Sequence, residues 1–165
     1  MSCRRCRDDE RDEILAIVKA AAEAYRGVIP ADRWREPYMG PSELAAEIGD
    51  GVVFWGFEED DELVGAMGVQ RVSDVDLIRH AYVHPASQRR GVGAELLRHL
   101  RAASDRRMLV GTWAAARWAI VFYERHGFEL VRADRMAALL EAYWTIPPRQ
   151  VATSVVLANP PLPDG

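Results

Sequence analysis

The chain has 165 residues, 49% of them apolar and 28% charged, which suits one compact domain and excludes a disordered or fibrous chain. Its formal net charge of -4 argues against broad affinity for nucleic acid, because that affinity requires clustered Lys and Arg residues. No apolar run approaches the roughly 20 residues of a membrane-spanning helix, and the N-terminus is charged where a signal peptide would be apolar. We therefore expect a cytoplasmic protein without a nucleic-acid or membrane partner.

The first half of the chain predicts two helices and an antiparallel meander. Apolar residues at steps of three and four indicate an amphipathic helix over 8–25, and a shorter helix runs from an N-cap at Ser42 to Gly49. Residues 1–7 are expected to be flexible or to form a short edge strand. Runs rich in β-branched and aromatic residues predict three antiparallel strands, over 52–57, 63–70 and 75–83.

The second half of the chain predicts strands that alternate with helices. An antiparallel meander followed by strand-helix-strand units gives a mixed sheet flanked by helices, so the fold class is α/β. Residues 1–165 are expected to form a single domain that ends in a tail over 158–165. The predicted helices span 91–103, 114–126 and 136–144. The predicted strands span 108–112, 128–132 and 151–157.

The segment 88–93, with the sequence Gln-Arg-Arg-Gly-Val-Gly, lies between a predicted strand end and a predicted helix start. Unpaired N–H groups in a first helical turn, the helix dipole and glycines that allow close approach suit a phosphorylated ligand. A Walker loop would require Gly-Lys-Ser/Thr where the chain has Gly93, Ala94 and Glu95, and a dinucleotide fingerprint would require glycine in place of Leu96. Both of those motifs are excluded.

Two segments of the chain resemble the signatures of the GNAT N-acetyltransferase superfamily. Residues 88–93 resemble the Q/R-x-x-G-x-G/A signature, and residues 119–128 resemble the second signature, A-x-x-F-Y-E-x-x-G-F. The resemblance covers about 8–157 and implies the GNAT fold, in which acetyl-CoA lies between two splayed parallel strands, here 75–83 and 108–112.

The same resemblance implies how acetyl-CoA is held. The backbone of 88–93 would bind the CoA diphosphate, and the backbone near Tyr82 and Val83 would bind pantetheine and polarise the acetyl carbonyl. The family often has Asn where this chain has Ala116, which removes one side-chain contact to CoA. The predicted cofactor-binding residues are Tyr82, Val83, Gln88, Arg89, Arg90, Gly91, Val92, Gly93, Ala116 and Tyr123.

Tyr123 occupies the position at which the family protonates the departing CoA thiolate, and a phenol with a reference pKa of about 10 keeps its proton near pH 7. The acceptor amine must lose a proton before it attacks. His80 and His84 share strand parity with Tyr82 and are the candidates for the general base. The resemblance also implies that the loop between the first two helices lines the acceptor side. The candidate substrate-binding residues there are Tyr25, Arg26, Trp34 and Tyr38.

These residues predict an enzyme that transfers the acetyl group of acetyl-CoA to the primary amine of a small molecule, by direct attack in a ternary complex. Cys3 and Cys6 have the C-x-x-C spacing but no second pair to complete a zinc site, so we expect no metal and no acetyl-cysteine intermediate. Two alternatives stay open, acetylation of a protein lysine or N-terminus and a non-catalytic acyl-CoA sensor. A monomer and a homodimer are both compatible with the sequence.

Overall fold

The computed structural model describes residues 2–163, so Met1, Asp164 and Gly165, which belong to the predicted N-terminal segment and tail, lie outside the described residues. Within the described range, seven strands form one sheet in the order β1-β2-β3-β4-β5-β7-β6. The strands β1 to β7 span Ser2–Arg5, Val53–Glu59, Glu62–Val72, Val75–Val83, Arg107–Trp113, Glu129–Leu130 and Ser154–Asn159. The helices α1 to α6 span Arg11–Ala22, Pro41–Gly49, Val92–Ala103, Arg117–Arg125, Ala133–Tyr143 and Pro148–Ala152.

The fold has the predicted α/β class and mixed sheet: within residues 2–163, β4 and β5 form one parallel pair among antiparallel neighbours. The N-terminal segment forms the edge strand β1. The C-terminal region differs from the prediction. Pro148 stands at the first position of α6, where its fixed φ favours a helix, so the last strand begins at Ser154 rather than at 151. That strand continues to Asn159, inside the predicted tail.

Helices cover both faces of the sheet because neighbouring strand residues point to opposite sides. On one face, Met67, Ile78 and Val110 pack against α3 and α4. On the other face, Ala66 packs with α1 and α2, and Leu77 packs with α5. Among residues 2–163, no helix is both long and apolar enough to span a membrane.

The parallel pair β4–β5 separates halfway along its length. Pairing runs from Val75 opposite Arg107 to Ile78 opposite Val110, although both strands continue beyond those residues. At the same level β4 carries a bulge against β3, in which His80 is the extra residue and has a φ of +56°. A bulge bends its strand, so β4 turns away from β5 and leaves the V-shaped opening that the resemblance implies.

Candidate active site

A cavity of about 880 Å³ begins at the opening between β4 and β5. This volume falls within the range of small-molecule and cofactor sites. Its walls include both diverging strands, the N-terminus of α3, the inner face of α4 and the C-terminal end of α1. The divergence of the strands therefore joins the two faces of the sheet through one continuous space.

The segment 88–93 forms a tight turn at one end of this cavity. Arg89 and Gly91 have left-handed backbone, with φ of +67° and +80°, and α3 begins directly afterwards. The first N–H groups of the helix have no intrahelical partner, so they remain available to an anion. Nε2 of Gln88 donates to the carbonyl oxygen of Val83 at 3.1 Å, which ties the turn to the end of β4.

The two glycines of the turn have different structural roles. Gly91 takes a left-handed conformation that a residue with a side chain adopts only at a cost. At Gly93, an added Cβ would lie 3.3 Å from the ring of Phe122 and 3.6 Å from Val83. The start of α3 therefore lies close against α4 and β4. Arg90 is not among the described residues that line the cavity, and its guanidinium pairs instead with Glu59.

Tyr123 reaches the cavity from α4. The residue is 5% exposed and its ring lies 5.6 Å from that of Phe128, centroid to centroid. Burial, and next the neighbouring Tyr25, raise the pKa of the Tyr123 phenol well above its usual value. Tyr123 is therefore a protonated hydroxyl at neutral pH and can donate a hydrogen bond. Ala116 is fully buried just before α4, and it is not among the described residues that line the cavity. Thr112, near the end of β5, does line the cavity.

His80 lines the cavity and is held by a carboxylate that the sequence analysis did not identify. Its Nε2 lies 2.5 Å from Oε2 of Glu47 on α2, and its ring stacks on Phe54 at 6.2 Å between centroids. Burial raises the pKa of Glu47, but the hydrogen bond and charge of His80, together with the charge of Arg79, outweigh burial and hold that pKa below its usual range. When Nε2–H donates to Glu47, Nδ1 of the neutral ring is the acceptor nitrogen.

His84 has a different environment from His80. Its Nδ1 accepts the backbone N–H of Ala86 at 3.1 Å and so caps the short 3₁₀ turn after β4. The side chain is exposed, and within residues 2–163 it is not part of the cavity lining. Of the two histidines predicted as candidate bases, the structure brings only His80 to the cavity.

Aromatic side chains from three elements meet on the acceptor side. Tyr25, Tyr38 and Tyr82 line the cavity, with ring centroids 6.3 to 6.5 Å apart. Burial and then the neighbouring Tyr38 raise the pKa of Tyr25 to about 12, and the Thr112 side chain opposes this shift. Burial raises the pKa of Tyr82 well above its usual value. The phenols of Tyr25 and Tyr82 are therefore neutral at pH 7.

Trp34 and Arg26 lie at the margin of this aromatic cluster. The Trp34 ring is 5.6 Å from that of Tyr38, and the Arg26 guanidinium lies 4.6 Å above the indole. Arg26 also pairs with Glu23 and with Glu36 at 2.9 and 2.7 Å. Neither Trp34 nor Arg26 is among the described residues that line the cavity. Of the four predicted substrate-binding residues, Tyr25 and Tyr38 therefore line the cavity, and the other two pack beside them.

The sequence analysis also missed the part of the cavity wall that lies next to α5 and α6. No local motif marks these residues, because they reach the cavity only through β7 and the packing of the C-terminal helices against it. The lining residues in this part of the wall are Leu140, Trp144, Ile146, Gln150 and Ser154. Within residues 2–163, no group of three or more His, Cys, Asp or Glu side chains could hold a metal ion.

Comparison with known proteins places the chain among acetyltransferases. Residues 50–130 match the family described as acetyltransferase (GNAT) domain, and this range contains both signature segments. No curated protein matches the sequence. An acetyltransferase of the GNAT family from Staphylococcus aureus superposes with a TM-score of 0.70 at 14% identity, over 95% of this chain and 96% of that one.

Two further solved structures share the fold. PaiA N-acetyltransferase from Thermoplasma acidophilum, in complex with coenzyme A, has a TM-score of 0.70 at 15% identity, over 96% of this chain and 98% of that one. The ribosomal-protein-S18-alanine N-acetyltransferase from Escherichia coli has a TM-score of 0.66 at 18% identity, over 95% and 91%. At these identities the likeness extends to the fold alone.

Proposed function

Since this chain is a GNAT-type acyl-CoA N-acyltransferase, we propose that it transfers the acetyl group of acetyl-CoA to the primary amine of a small molecule. One observation carries the proposal: a single cavity connects the turn at 88–93 with the aromatic cluster of Tyr25, Tyr38 and Tyr82. Tyr123 and His80 both line this cavity. A cofactor and an acceptor bound at its two ends would meet where β4 and β5 diverge.

Acetyl-CoA would bind along β4. The N–H groups at 88–93 would hold the diphosphate, since anions bind favourably at the N-terminus of a helix. Beyond Ile78 the edge of β4 that faces β5 has no strand partner among the described residues, so its backbone groups can hydrogen bond pantetheine amides as an added strand would. Backbone N–H groups near Tyr82 and Val83 would then polarise the thioester carbonyl.

The acetyl group would move in one displacement. The amine nitrogen attacks the carbonyl carbon, the C–N bond forms, and the C–S bond breaks as the tetrahedral intermediate collapses. His80 would accept the proton that the amine loses, and its hydrogen bond to Glu47 would orient the imidazole. The Tyr123 hydroxyl donates to the departing sulfur. Cys3 and Cys6 are free thiols and neither is among the described residues of the cavity lining, which supports direct transfer over an acetyl-cysteine intermediate.

The acceptor side supports a small amine rather than a polypeptide. Nη2 of Arg33, in the loop before α2, donates to Oε1 of Gln150 at 3.3 Å, and Nε of Arg149 lies 3.4 Å from Oδ2 of Asp32. These contacts join α6 to that loop beside the cavity. They narrow the space that an extended peptide would need.

The test is a panel of acceptors incubated with the chain and acetyl-CoA, with release of free CoA thiol as the readout. We expect turnover of small primary amines and none of peptides with a free lysine or N-terminus. Turnover of peptides alone would favour the protein acetyltransferase. Binding of acetyl-CoA without turnover of any acceptor would favour the acyl-CoA sensor.

A further inference from the structure

We propose that the acceptor is a monoamine with a flat apolar body, and that this body binds in a lobe of the cavity beside β5. The inference rests on the proposed function, because it names the class of amine that the enzyme would acetylate. We call this part of the cavity the indole lobe. Its lining residues are Gly111, Leu140, Trp144, Ile146 and Ser154.

The position of the indole lobe follows from the two faces of the sheet. Tyr123 belongs to the core cluster that contains α3 and α4, on the face where the anion-binding turn lies. Leu140 belongs to the cluster on the opposite face, beside α5, and Trp144 and Ile146 pack against that cluster. A thioester at the opening between β4 and β5 would therefore have its CoA on one face. The indole lobe lies on the other face, from which an acceptor can approach the carbonyl carbon.

The indole of Trp144 packs directly against β5 because residue 111 is a glycine. A Cβ at Gly111 would lie 3.3 Å from Cζ2 and 3.4 Å from Cε2 of the indole. The ring therefore lies directly on the strand backbone, in the part of β5 that extends beyond its pairing with β4. With Leu140 and Ile146 beside it, the lobe offers a flat aromatic surface and aliphatic contacts, which suit an aromatic or planar apolar group.

The charges around the cavity favour an acceptor with one amino group over an acceptor with two. Among residues 2–163, no Asp or Glu lines the cavity. The carboxylate of Glu47 is occupied by His80 at 2.5 Å and by Arg79 at 3.5 Å. A second ammonium group on the acceptor would thus be buried without a partner, which is costly. The reacting amine is not penalised in the same way, because it must be neutral when it attacks, and burial without a carboxylate lowers an amine's pKa.

The test compares phenethylamine, ethylamine and putrescine as acceptors, by thiol release, in the wild-type chain and in three variants. In the wild-type chain we expect kcat/KM to be about tenfold to 100-fold higher for phenethylamine than for either other amine, since a buried phenyl group contributes apolar area that ethylamine lacks. Trp144→Ala should remove most of this advantage through KM. The loss should be much larger for phenethylamine than for ethylamine, which has no ring to contact the indole, and the Kd of acetyl-CoA should change little.

Two more variants serve as a backup and a matched control. Ile146→Ala tests the same lobe without the loss of a large ring, in case Trp144→Ala does not fold. Tyr143→Ala removes the adjacent aromatic residue, whose hydroxyl donates to Asp74 at 2.8 Å and which lies outside the described cavity lining, so all three amines should keep their wild-type ratios.

The outcomes separate this inference from the function on which it rests. A preference for putrescine, or an equal loss for all amines in both lobe variants, overturns the indole lobe as the acceptor site while acetyl transfer itself stands. Turnover of no amine, with acetyl-CoA bound, overturns the proposed function and the inference with it.

Discussion

Tyr123→Phe removes one hydroxyl from the cavity and leaves the aromatic ring in place. The ring makes edge contacts with Phe122 and Phe128, at 5.1 and 5.6 Å between centroids, and neither contact depends on the oxygen. Burial and the nearby Tyr25 raise the pKa of the phenol, and no hydrogen bond to another described residue contributes to that shift. Because no internal hydrogen bond is lost, we expect Tm to change by no more than about 2 °C.

The expected loss lies in the chemical step. The raised pKa keeps the Tyr123 proton in place at pH 7, so the hydroxyl can donate to sulfur as the C–S bond breaks. A positioned acid contributes about 10²- to 10⁴-fold, which corresponds to about 2.7 to 5.5 kcal/mol of activation free energy. We therefore expect kcat to fall by a factor in that range. The Kd of acetyl-CoA should change by less than about twofold, because the hydroxyl acts mainly in the transition state.

The assay is a single-turnover experiment with enzyme in excess over acetyl-CoA, since slow product release cannot then mask the chemistry. Tyr143→Phe is the control, because it removes a hydroxyl that donates to Asp74, outside the described cavity lining, and should react at the wild-type rate. If Tyr123→Phe also reacts at the wild-type rate, the reasoning is refuted. The thiolate would then leave unassisted or take its proton from water.

Three further predictions concern the cofactor turn, the base and the N-terminal strand. Gly91→Val places a β-branched residue at a φ of +80°, so the turn should distort and the KM for acetyl-CoA should rise about fivefold to 30-fold. Unchanged CoA affinity in the folded variant would contradict the proposed cofactor site. Glu47→Gln keeps the shape of the side chain that contacts His80 but removes its charge. We expect kcat to fall about tenfold to 100-fold while the Kd of acetyl-CoA stays constant. A loss of CoA binding instead would mean that α2 contributes to the cofactor site. The hydrogen bond from Arg4 lowers the pKa of Glu10 from 4.5 to about 2, so this carboxylate stabilises the fold above about pH 4.5 and loses that effect as the pH falls towards 2. Arg4→Ala should therefore lower the free energy of unfolding by about 1.5 to 3 kcal/mol at pH 7 and by less at pH 3, as measured by urea titration, and an equal loss at both pH values would argue against the ion pair.

The backbone conformation of the segment 88–93 could be predicted in detail because it depends on a short stretch of sequence. The glycine at position 91, the turn after a strand and the first N–H groups of a helix are all local features, and the structure contains each of them. The resemblance to two GNAT signatures added the expected fold and a role for Tyr123. The comparisons bear out the fold and the match to the GNAT domain over residues 50–130, and the role of Tyr123 stays a prediction.

The histidines illustrate where local reasoning ends. His80 and His84 have the same strand parity and the same chemistry in the sequence, yet one lines the cavity and the other caps a turn. The difference arises from a bulge in β4 and from Glu47, a residue on α2 that is 33 positions away in the sequence. A bulge is a mismatch between two strands, so neither strand encodes it alone.

The sequence by itself determined the class of fold, the family resemblance and the glycine turn at 88–93, because periodic apolar residues and short backbone motifs act over a few neighbouring positions. The tertiary structure alone decided which side chains share the cavity. The pairing of β4 with β5 ends at Ile78, and that end opens a passage between the faces of the sheet. Trp144, far along the chain, reaches this passage because Gly111 leaves room for its indole, and such close approach depends on how elements pack rather than on any local pattern.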